Sequence, residues 1–143
     1  MLLTQVMPEG LNKIWDLIRF SYIQSTPPTA GHKPEDLRQL LVRALNQQCQ
    51  VWIISDEKDI LSIALTAVCE DGLSKVKYLD ILSLFNYKTI GREAFDLYDD
   101  GLTKFAKSSN CVRILGLTNN EVLLKIAEIY GYATDYKLIV KEL

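Results

Sequence analysis

Hydrophobic positions in the first third of the chain recur every three to four residues. After a short apolar segment, Leu2 to Val6, this spacing predicts a helix from about Pro8, because proline is favoured at a first helical position. A second helix is predicted from Pro34, where Glu35 and Asp36 suit the positive end of a helix dipole. The predicted buried faces comprise Leu11, Ile14, Trp15, Ile18 and Tyr22 in the first helix and Leu37, Leu40, Leu41, Ala44 and Leu45 in the second.

The hydrophobic period then changes to that of β-strands. Three apolar runs, Gln50 to Ser55, Ile60 to Cys69 and Val76 to Leu84, are separated by the polar turns DEKD and EDGLSK, which predicts an antiparallel meander. A loop is predicted from Phe85 to Gly91, followed by a helix from Arg92 to Ser108. The predicted buried face of this third helix comprises Ala94, Phe95, Tyr98, Leu102 and Phe105.

The C-terminal third predicts a strand, a helix and a final strand. The strands are Cys111 to Leu117 and Tyr136 to Val140. The helix between them is expected to have Asn119 as its N-cap and to end at Gly131. Its predicted inner face comprises Leu123, Ile126, Ala127 and Tyr130.

This order of elements predicts one α/β domain over residues 1–143. A helix that connects two neighbouring strands implies that those strands are parallel and that the connection is right-handed. The sequence therefore predicts a mixed central sheet, an antiparallel meander that turns parallel at its fourth strand, with helices on both faces. A chain of 143 residues has the size of one such domain.

Composition and charge exclude several functional classes. Hydrophobic residues make up 48% and charged residues 24% of the chain, as in a globular protein with a sizeable core. The net charge of −2 argues against a nucleic-acid partner, because phosphate-binding proteins are normally basic. The apolar run Ile60 to Cys69 is half the length of about 20 residues that a membrane helix needs, so no membrane partner is expected. The N-terminus lacks the basic region and cleavage site of a secretory signal peptide.

The sequence offers few nucleophiles and metal ligands. His32 is the single histidine, and no set of ligands has the spacing of a metal site, so no metal is expected. Cys49, Cys69 and Cys111 lie far apart in apolar surroundings, which favours free thiols in a reducing compartment. There is no GxSxG motif, which argues against a serine hydrolase.

The order of elements and four local segments resemble the GNAT family of N-acetyltransferases over essentially the whole chain. VKYLDILSL looks like the family's central strand, and NYKTIGREAF stands where its pyrophosphate motif opens the third helix. NNEVLLKIAEIYGY is similar to the late helix with its closing Gly131-Tyr132 pair, and YKLIVKEL to a closing strand. The resemblance implies a GNAT-like fold and, for an active member, acetyl-CoA as cofactor.

The resemblance places the pyrophosphate motif at residues 88–93. In this family, unpaired N–H groups at a helix N-terminus hold the diphosphate, and small residues let it approach. Lys88, Gly91 and Arg92 are the cofactor-binding residues that the resemblance implies, as vestiges of that site. Glu93 replaces a second small residue with a negative charge. We therefore expect that the Glu93 carboxylate occupies the diphosphate position of an eroded site, the alternative being a working site in a shifted register.

The residues that would carry acid–base chemistry are incomplete. Acetyl transfer needs a base for the incoming ammonium and an acid for the departing thiolate. The tyrosine that often supplies the acid in GNAT enzymes corresponds here to Ala127, and Tyr130 is rotated from that position by about 300°. Asn120 matches the family's helix-opening asparagine. Asp80 is the candidate base, the alternative being an outward-facing strand residue, so the catalytic candidates are Asp80, Asn120 and Tyr130 without a convincing pair.

Two functions are compatible with this sequence. The QVWIIS strand, the FAKSSNC helix end and the VKEL terminus resemble compact GNAT-like proteins of tailed bacteriophages. That resemblance implies a non-catalytic structural or assembly protein without cofactor, in the virion or the host cytoplasm, with virion proteins or further copies of itself as partners. The alternative is an acetyl-CoA-dependent N-acetyltransferase acting on a small-molecule or protein amine.

Two segments are candidate contact surfaces. The loop from Ser25 to His32 contains Pro27 and Pro28, and it shapes the acceptor pocket in active relatives; the alternative is a rigid spacer between helices. The segment Phe85-Asn86-Tyr87 places two aromatic side chains in a predicted loop, where burial against a partner would be favourable.

Overall fold

A computed structural model describes the backbone of residues 1–143 and every side chain except that of Pro28. The chain begins with a strand and two helices, continues with three long strands, and ends with a helix, a short strand and a last helix. The elements are β1 (Leu2–Val6), α1 (Leu11–Ser25), α2 (Pro34–Leu45), β2 (Gln50–Ser55), β3 (Ile60–Glu70), β4 (Lys77–Asn86), α3 (Arg92–Ser108), β5 (Ile114–Gly116) and α4 (Glu121–Ile129). Short 3-10 turns at Pro8–Gly10 and Pro28–Ala30 precede α1 and α2.

The five strands form one mixed sheet in the order β1-β2-β3-β4-β5. Neighbouring strands are antiparallel from β1 to β4, and β5 lies parallel to β4 with Leu79 opposite Ile114. Helix α3 connects this parallel pair, as the sequence predicted. The predicted fold class is confirmed.

Helices α1 and α2 cover one face of the sheet. Their apolar side chains pack on inward-facing residues of β2 and β3, because alternate strand residues point to the same face. This core contains Leu11, Ile18, Leu40, Ala44, Cys49, Val51, Ile63 and Leu65. The predicted faces of both helices are confirmed except at Leu45, which is exposed.

Helix α3 covers the opposite face. The predicted period of its apolar residues is confirmed, since Ala94, Tyr98 and Leu102 are all buried. They pack against Trp52 and Ile54 of β2 and against further strand residues, Leu61, Ala64 and Leu79. Gly101 faces Leu3 of β1 so closely that a Cβ atom at this position would collide with the end of the leucine side chain. Glycine at this helical position therefore allows α3 to approach β1.

Two buried polar networks join neighbouring elements, one linking β2 to β3 and the other linking β3 to α3. Trp52 Nε1 donates to Thr66 Oγ1 over 2.9 Å, and Thr66 Oγ1 donates to Gln50 Oε1 over 2.9 Å. On the α3 side, the Tyr98 hydroxyl donates to Ser62 Oγ over 2.8 Å. Burial raises the pKa of Tyr98, so this hydroxyl keeps its proton. These bonds satisfy polar groups that would otherwise be costly in the core.

The sequence predictions differ from the structure at four places. The predicted final strand, Tyr136 to Val140, is wrong: residues 132–143 have no regular secondary structure. The predicted N-cap Asn119 is also wrong, because Asn120 caps α4. Strand β4 continues to Asn86, so the loop begins later than predicted, and β5 has three residues rather than seven. Gly131 ends α4 as predicted, with a φ of +89° that glycine adopts readily.

Candidate functional site

The loop between β4 and α3 borders a cavity of about 440 Å³. The end of β4 and the loop form one wall, the first turns of α3 contribute Phe95, and α4 contributes Val122 and Ile126. The remaining lining residues are Asn86, Tyr87, Lys88, Thr89 and Ile90. The cavity therefore lies where the sequence places the pyrophosphate motif.

The N-terminus of α3 has an open approach. Gly91 is the N-cap residue, with φ −97° and ψ −169°, and no side chain caps the helix. A Cβ atom on Gly91 would meet nothing within 4 Å, so neither its backbone conformation nor its packing requires glycine. The N–H groups of Arg92 and Glu93 have no hydrogen-bond acceptor among the described residues. An anion could approach this end of the helix without a steric obstacle.

The motif lysine is bound to another part of the chain. Lys88 Nζ forms a hydrogen-bonded ion pair with Asp59 Oδ2, in the turn between β2 and β3. This bond and the charge of Asp59 raise the pKa of Lys88. The ammonium group remains charged at neutral pH, but a carboxylate already neutralises it.

Glu93 lies in the first turn of α3 but does not line the cavity, and its occupation of the diphosphate position stays a prediction. Its side chain is exposed, is not part of the cavity lining, and forms no hydrogen bond with the first-turn N–H groups among the described residues. The carboxylate nevertheless places a negative charge in the first turn of α3. Arg92 is exposed beside it and takes part in no ion pair of the described chain.

The site thus offers a diphosphate an open approach but an unfavourable charge. The open helix terminus and the empty space beside Gly91 would admit a diphosphate. A doubly charged group would, however, meet the carboxylates of Asp59 and Glu93, with Lys88 already paired. Because like charges repel at short range, these carboxylates oppose a diphosphate at this end of α3.

Asp80 borders a second cavity, of about 210 Å³, between β4 and the end of α1. Its carboxylate is half-buried and takes part in no ion pair or side-chain hydrogen bond among the described residues. Burial raises the pKa of Asp80, because water loss disfavours the charged form. The structure therefore places Asp80 against a cavity, not on an open sheet face.

The loop from Ser25 to His32 forms the wall opposite Asp80. Ser25, Thr26 and Pro27 line the cavity, and His32 Nε2 lies 2.7 Å from Thr26 Oγ1. This loop and Asp80 were separate sequence predictions, and the structure brings them together. The side chain of Pro28, the second proline of the predicted contact surface, lies outside the described residues.

Asn120 and Tyr130 have structural partners. Asn120 Oδ1 accepts hydrogen bonds from Val122 N at 3.0 Å and Leu123 N at 3.1 Å, which caps α4. The Tyr130 hydroxyl donates to Asp96 Oδ1 of α3 over 2.5 Å. That bond raises the pKa of Tyr130. The two side chains hold α4 in place, and neither lines either cavity.

The two carboxylates that bind the candidate groups were not predictable from the sequence. Asp59 pairs with Lys88 from 29 positions away, and Asp96 pairs with Tyr130 from 34 positions away. Asp59 is the last residue of the polar DEKD turn and Asp96 lies on the exposed side of α3, positions at which a carboxylate normally meets water. No local signal distinguishes them from other surface acids.

The aromatic segment Phe85-Asn86-Tyr87 packs on α1. Phe20 lies 5.6 Å from Phe85 and 6.1 Å from Tyr87 between ring centroids, and the Tyr87 hydroxyl donates to the Leu17 carbonyl. Phe85 and Tyr87 are half-buried by these contacts. Their use as a contact surface stays a prediction.

The described residues also bear on metal binding and on membrane insertion. Among the described side chains, no group of three or more His, Cys, Asp or Glu residues is arranged to hold a metal ion. No helix in the described part of the chain is both long and apolar enough to cross a bilayer.

Comparison with known proteins identifies the architecture. No family model and no curated protein sequence matches the chain. A predicted acetyltransferase with acetyl-CoA from Clostridium acetobutylicum matches its structure with a TM-score of 0.75 and 16% identity, over 98% of this chain and 95% of that one. AAC(6')-Iy in complex with a bisubstrate analogue matches with a TM-score of 0.74 and 15% identity, over 99% and 97%. Glucosamine-6-phosphate N-acetyltransferase from Arabidopsis thaliana matches with 0.68 and 13%, over 99% and 97%. The chain has the GNAT acetyltransferase fold.

Proposed function

We propose that this chain is a GNAT-fold protein that does not transfer acetyl groups and that acts as a structural or assembly protein. One observation carries the proposal: the motif lysine and the tyrosine nearest the family's acid position are both bound within the chain. Lys88 is paired with Asp59, and the Tyr130 hydroxyl is bonded to Asp96. No cofactor is part of this function.

The charges at the α3 terminus support the proposal. A diphosphate bound there would have to displace Asp59 from Lys88, and it would approach the carboxylate of Glu93. Among the described residues, Arg92 is the remaining unpaired cation near the first turn of α3. One exposed arginine offsets little of that repulsion, because exposed charge pairs are worth at most about 1 kcal/mol.

The missing proton donor supports it as well. Ala127 stands at the position of the family's tyrosine and has no ionisable group. Tyr130 would have to break its bond with Asp96 before protonating a thiolate elsewhere. Tyr130 also has a raised pKa, which makes it a weaker acid at neutral pH.

The proposed setting is a bacteriophage particle. The similarity of QVWIIS, FAKSSNC and VKEL to compact phage GNAT-like proteins supports this setting. The proposed partners are other virion proteins, further copies of the chain, or both. The proposed location is the virion, or the host cytoplasm before assembly.

An acetyl-CoA-dependent N-acetyltransferase is the second candidate. The open 440 Å³ cavity and the unpaired N–H groups of Arg92 and Glu93 favour it. Asp80, half-buried beside the second cavity with a raised pKa, is placed to hold an ammonium group or accept its proton. The acceptor would then be a small-molecule or protein amine.

Isothermal titration with acetyl-CoA distinguishes the two candidates. We expect no binding heat and a melting temperature unchanged at about 1 mM ligand, since a ligand that does not bind the native state cannot stabilise it. A micromolar Kd, together with release of free thiol when amines are added, would establish the enzyme instead. For the setting, the chain should co-sediment with intact particles after high-salt washing; recovery only in the particle-free fraction would contradict a virion role.

A further inference from the structure

The turn between β3 and β4 holds a leucine side chain in water. Leu73 is 97% exposed, and the neighbouring residues from 70 to 75 are exposed as well. Leu73 belongs to neither of the two core clusters that pack on the faces of the sheet. The fold therefore does not use this apolar side chain, and it is available to a partner surface.

Asp71 fixes the conformation of this turn. Asp71 Oδ1 accepts hydrogen bonds from Leu73 N over 2.9 Å and from Ser74 N over 2.8 Å. Asp71 N donates to Val76 O over 2.8 Å, which closes the turn at its base. The hairpin tip, residues 71–74, therefore presents Leu73 in a preformed conformation, and this lowers the entropy cost of binding.

The cavity between the β4–α3 loop and α4 has room for such a side chain. Its lining includes the apolar side chains of Ile90, Phe95, Val122 and Ile126, and Val122 is 68% exposed. The volume of this cavity is about 440 Å³. A cavity of about 150 Å³ is already large enough for benzene. A leucine side chain therefore fits, and it would remove apolar surface from water on both sides of the contact.

The hairpin tip and this cavity lie at opposite ends of β4. The tip precedes Lys77, where the strand begins, and Asn86, where the strand ends, lines the cavity. The ten residues of β4 separate the two features by about 30 Å. Leu73 therefore cannot reach the cavity of its own chain, but it can reach that of a second copy.

The two ends of the protein carry opposite charge. Basic residues exceed acidic ones in the β3–β4 hairpin, the last turn of α3 and the start of β5, with Lys75, Lys77, Lys107 and Arg113 against Glu70 and Asp71. Acidic residues exceed basic ones around the cavity, with Asp56, Glu57, Asp59, Glu93 and Glu121 against Lys58, Lys88 and Arg92. Complementary charges of this kind orient two copies so that the tip of one faces the cavity of the other.

We propose that copies of this chain associate head to tail, with Leu73 of one copy inserted into the cavity between the β4–α3 loop and α4 of the next. The leucine is the apolar anchor and the charged residues form the rim, an arrangement in which a few central contacts carry most of the affinity. A contact between two different surfaces leaves one tip and one cavity free, so it grows into a ring or a filament. This inference rests on the proposed non-catalytic function, because acetyl-CoA would compete for the same cavity.

Light scattering after size-exclusion chromatography tests the association. Between about 1 and 200 µM, the mean mass of the wild type should rise past twice the 16.3 kDa of one chain. Leu73→Asp changes an exposed side chain, so the variant should fold, and loss of the anchor should weaken the association roughly 10- to 100-fold. Leu73→Met keeps an apolar side chain, is the matched control and should associate like the wild type. A monomeric wild type, or a Leu73→Asp variant that associates equally well, would overturn the proposal.

A mixture of two variants tests whether the contact is head to tail. Val122→Asp places a charge on the exposed wall of the cavity and leaves the hairpin tip intact. Val122→Asp and Leu73→Asp should each be largely monomeric at a concentration that associates the wild type. Their equimolar mixture should form a heterodimer through the one intact tip and the one intact cavity, and it should not grow further. A mixture that stays monomeric, or a wild-type mass that stops at twice one chain, refutes the head-to-tail contact.

Titration of the Leu73→Asp variant with acetyl-CoA separates this inference from the proposed function. The cavity of this variant is not filled by a neighbouring copy, so binding of acetyl-CoA would overturn the proposed function. Absence of binding, together with a wild type that stays monomeric, would overturn the head-to-tail contact alone.

Discussion

The Tyr130 hydroxyl at the end of α4 donates a hydrogen bond to Asp96 on α3, over 2.5 Å. This bond connects two helices whose N-terminal turns border the same cavity, since Phe95 and Val122 both line it. The one tyrosine near the family's acid position therefore serves to join α4 to α3. This bond gives the Tyr130 hydroxyl a structural use that requires no acid–base chemistry.

Tyr130→Phe should loosen α4 without unfolding the protein. Loss of one exposed hydrogen bond is expected to lower the melting temperature at neutral pH by roughly 2–4 °C. The bond raises the pKa of Tyr130. The bond therefore stabilises the fold fully at a pH below the ordinary tyrosine pKa, and this stabilisation is lost as the pH rises through the raised pKa of Tyr130. Wild type and variant should converge in strong alkali. Tyr136→Phe, at an exposed position without a partner, is the control and should match the wild type at every pH.

Thr66→Val should be among the more damaging conservative changes in this chain. It leaves the Trp52 indole N–H without its acceptor and the Gln50 side-chain oxygen without its donor, inside the core. We expect the free energy of unfolding in urea to fall by about 2–4 kcal/mol. Thr4→Val, on the exposed side of β1, should change it by no more than about 0.5 kcal/mol. Equal effects of the two substitutions would show that the buried network contributes nothing.

The fold was predictable where apolar periodicity decides it. The spacing of Ala94, Tyr98 and Leu102 identifies the buried face of α3, and the meander follows from three apolar runs with polar turns. The final strand was not predictable in the same way, because a strand also needs a partner strand, which its own composition does not specify. Tyr136 to Val140 has strand composition but no partner there. Composition shows which residues favour a strand, and it leaves open what they pair with.

The candidate site was less predictable than the fold. Lys88, Gly91 and Arg92 were identified by local motif, and all three lie at the start of α3 or in the loop before it. A local motif does not show contacts between residues that are distant in sequence. Asp59, in a distant turn, forms an ion pair with Lys88 and neutralises its charge. Glu93 was assigned a position from its motif register alone; its side chain is exposed and is not among the residues that line the cavity.

Asp80→Asn should stabilise the protein at neutral pH. Burial raises the pKa of Asp80, so the folded state holds this proton more tightly than the unfolded state does. Stability therefore falls as the pH rises from the ordinary aspartate pKa through the raised pKa of Asp80. The asparagine variant does not lose stability over this pH range, because its side chain does not ionise. After allowance for solvent screening, the gain in melting temperature at pH 7 should be roughly 1–3 °C, and it should vanish near pH 3.

Asp71→Asn should change the stability at neutral pH in the opposite direction. Asp71 accepts backbone hydrogen bonds from Leu73 and Ser74, which lower its pKa. Asp71 therefore stabilises the fold at a pH above the ordinary aspartate pKa, and this stabilisation is lost as the pH falls through the lowered pKa of Asp71. This variant should melt below the wild type at pH 7, and the difference should shrink in acid. If both variants shifted in the same direction at pH 7, the burial argument for Asp80 would be wrong.

Removing the two carboxylates near the α3 terminus should create measurable affinity for coenzyme A. Asp59→Ala frees Lys88, and Glu93→Gly removes a charge from the first helical turn. Each change eliminates a repulsion of about 1 kcal/mol near the surface, or about fivefold in affinity, so the double variant should gain about 25-fold over the wild type. Asp100→Ala is the matched control, because it deletes one carboxylate of the same helix, paired with Lys104 at 3.0 Å, two turns away from the site. The gain should fall as salt is added, since it is electrostatic. A double variant that binds no better than Asp100→Ala would show that the shape of the cavity, and not its charge, excludes the cofactor.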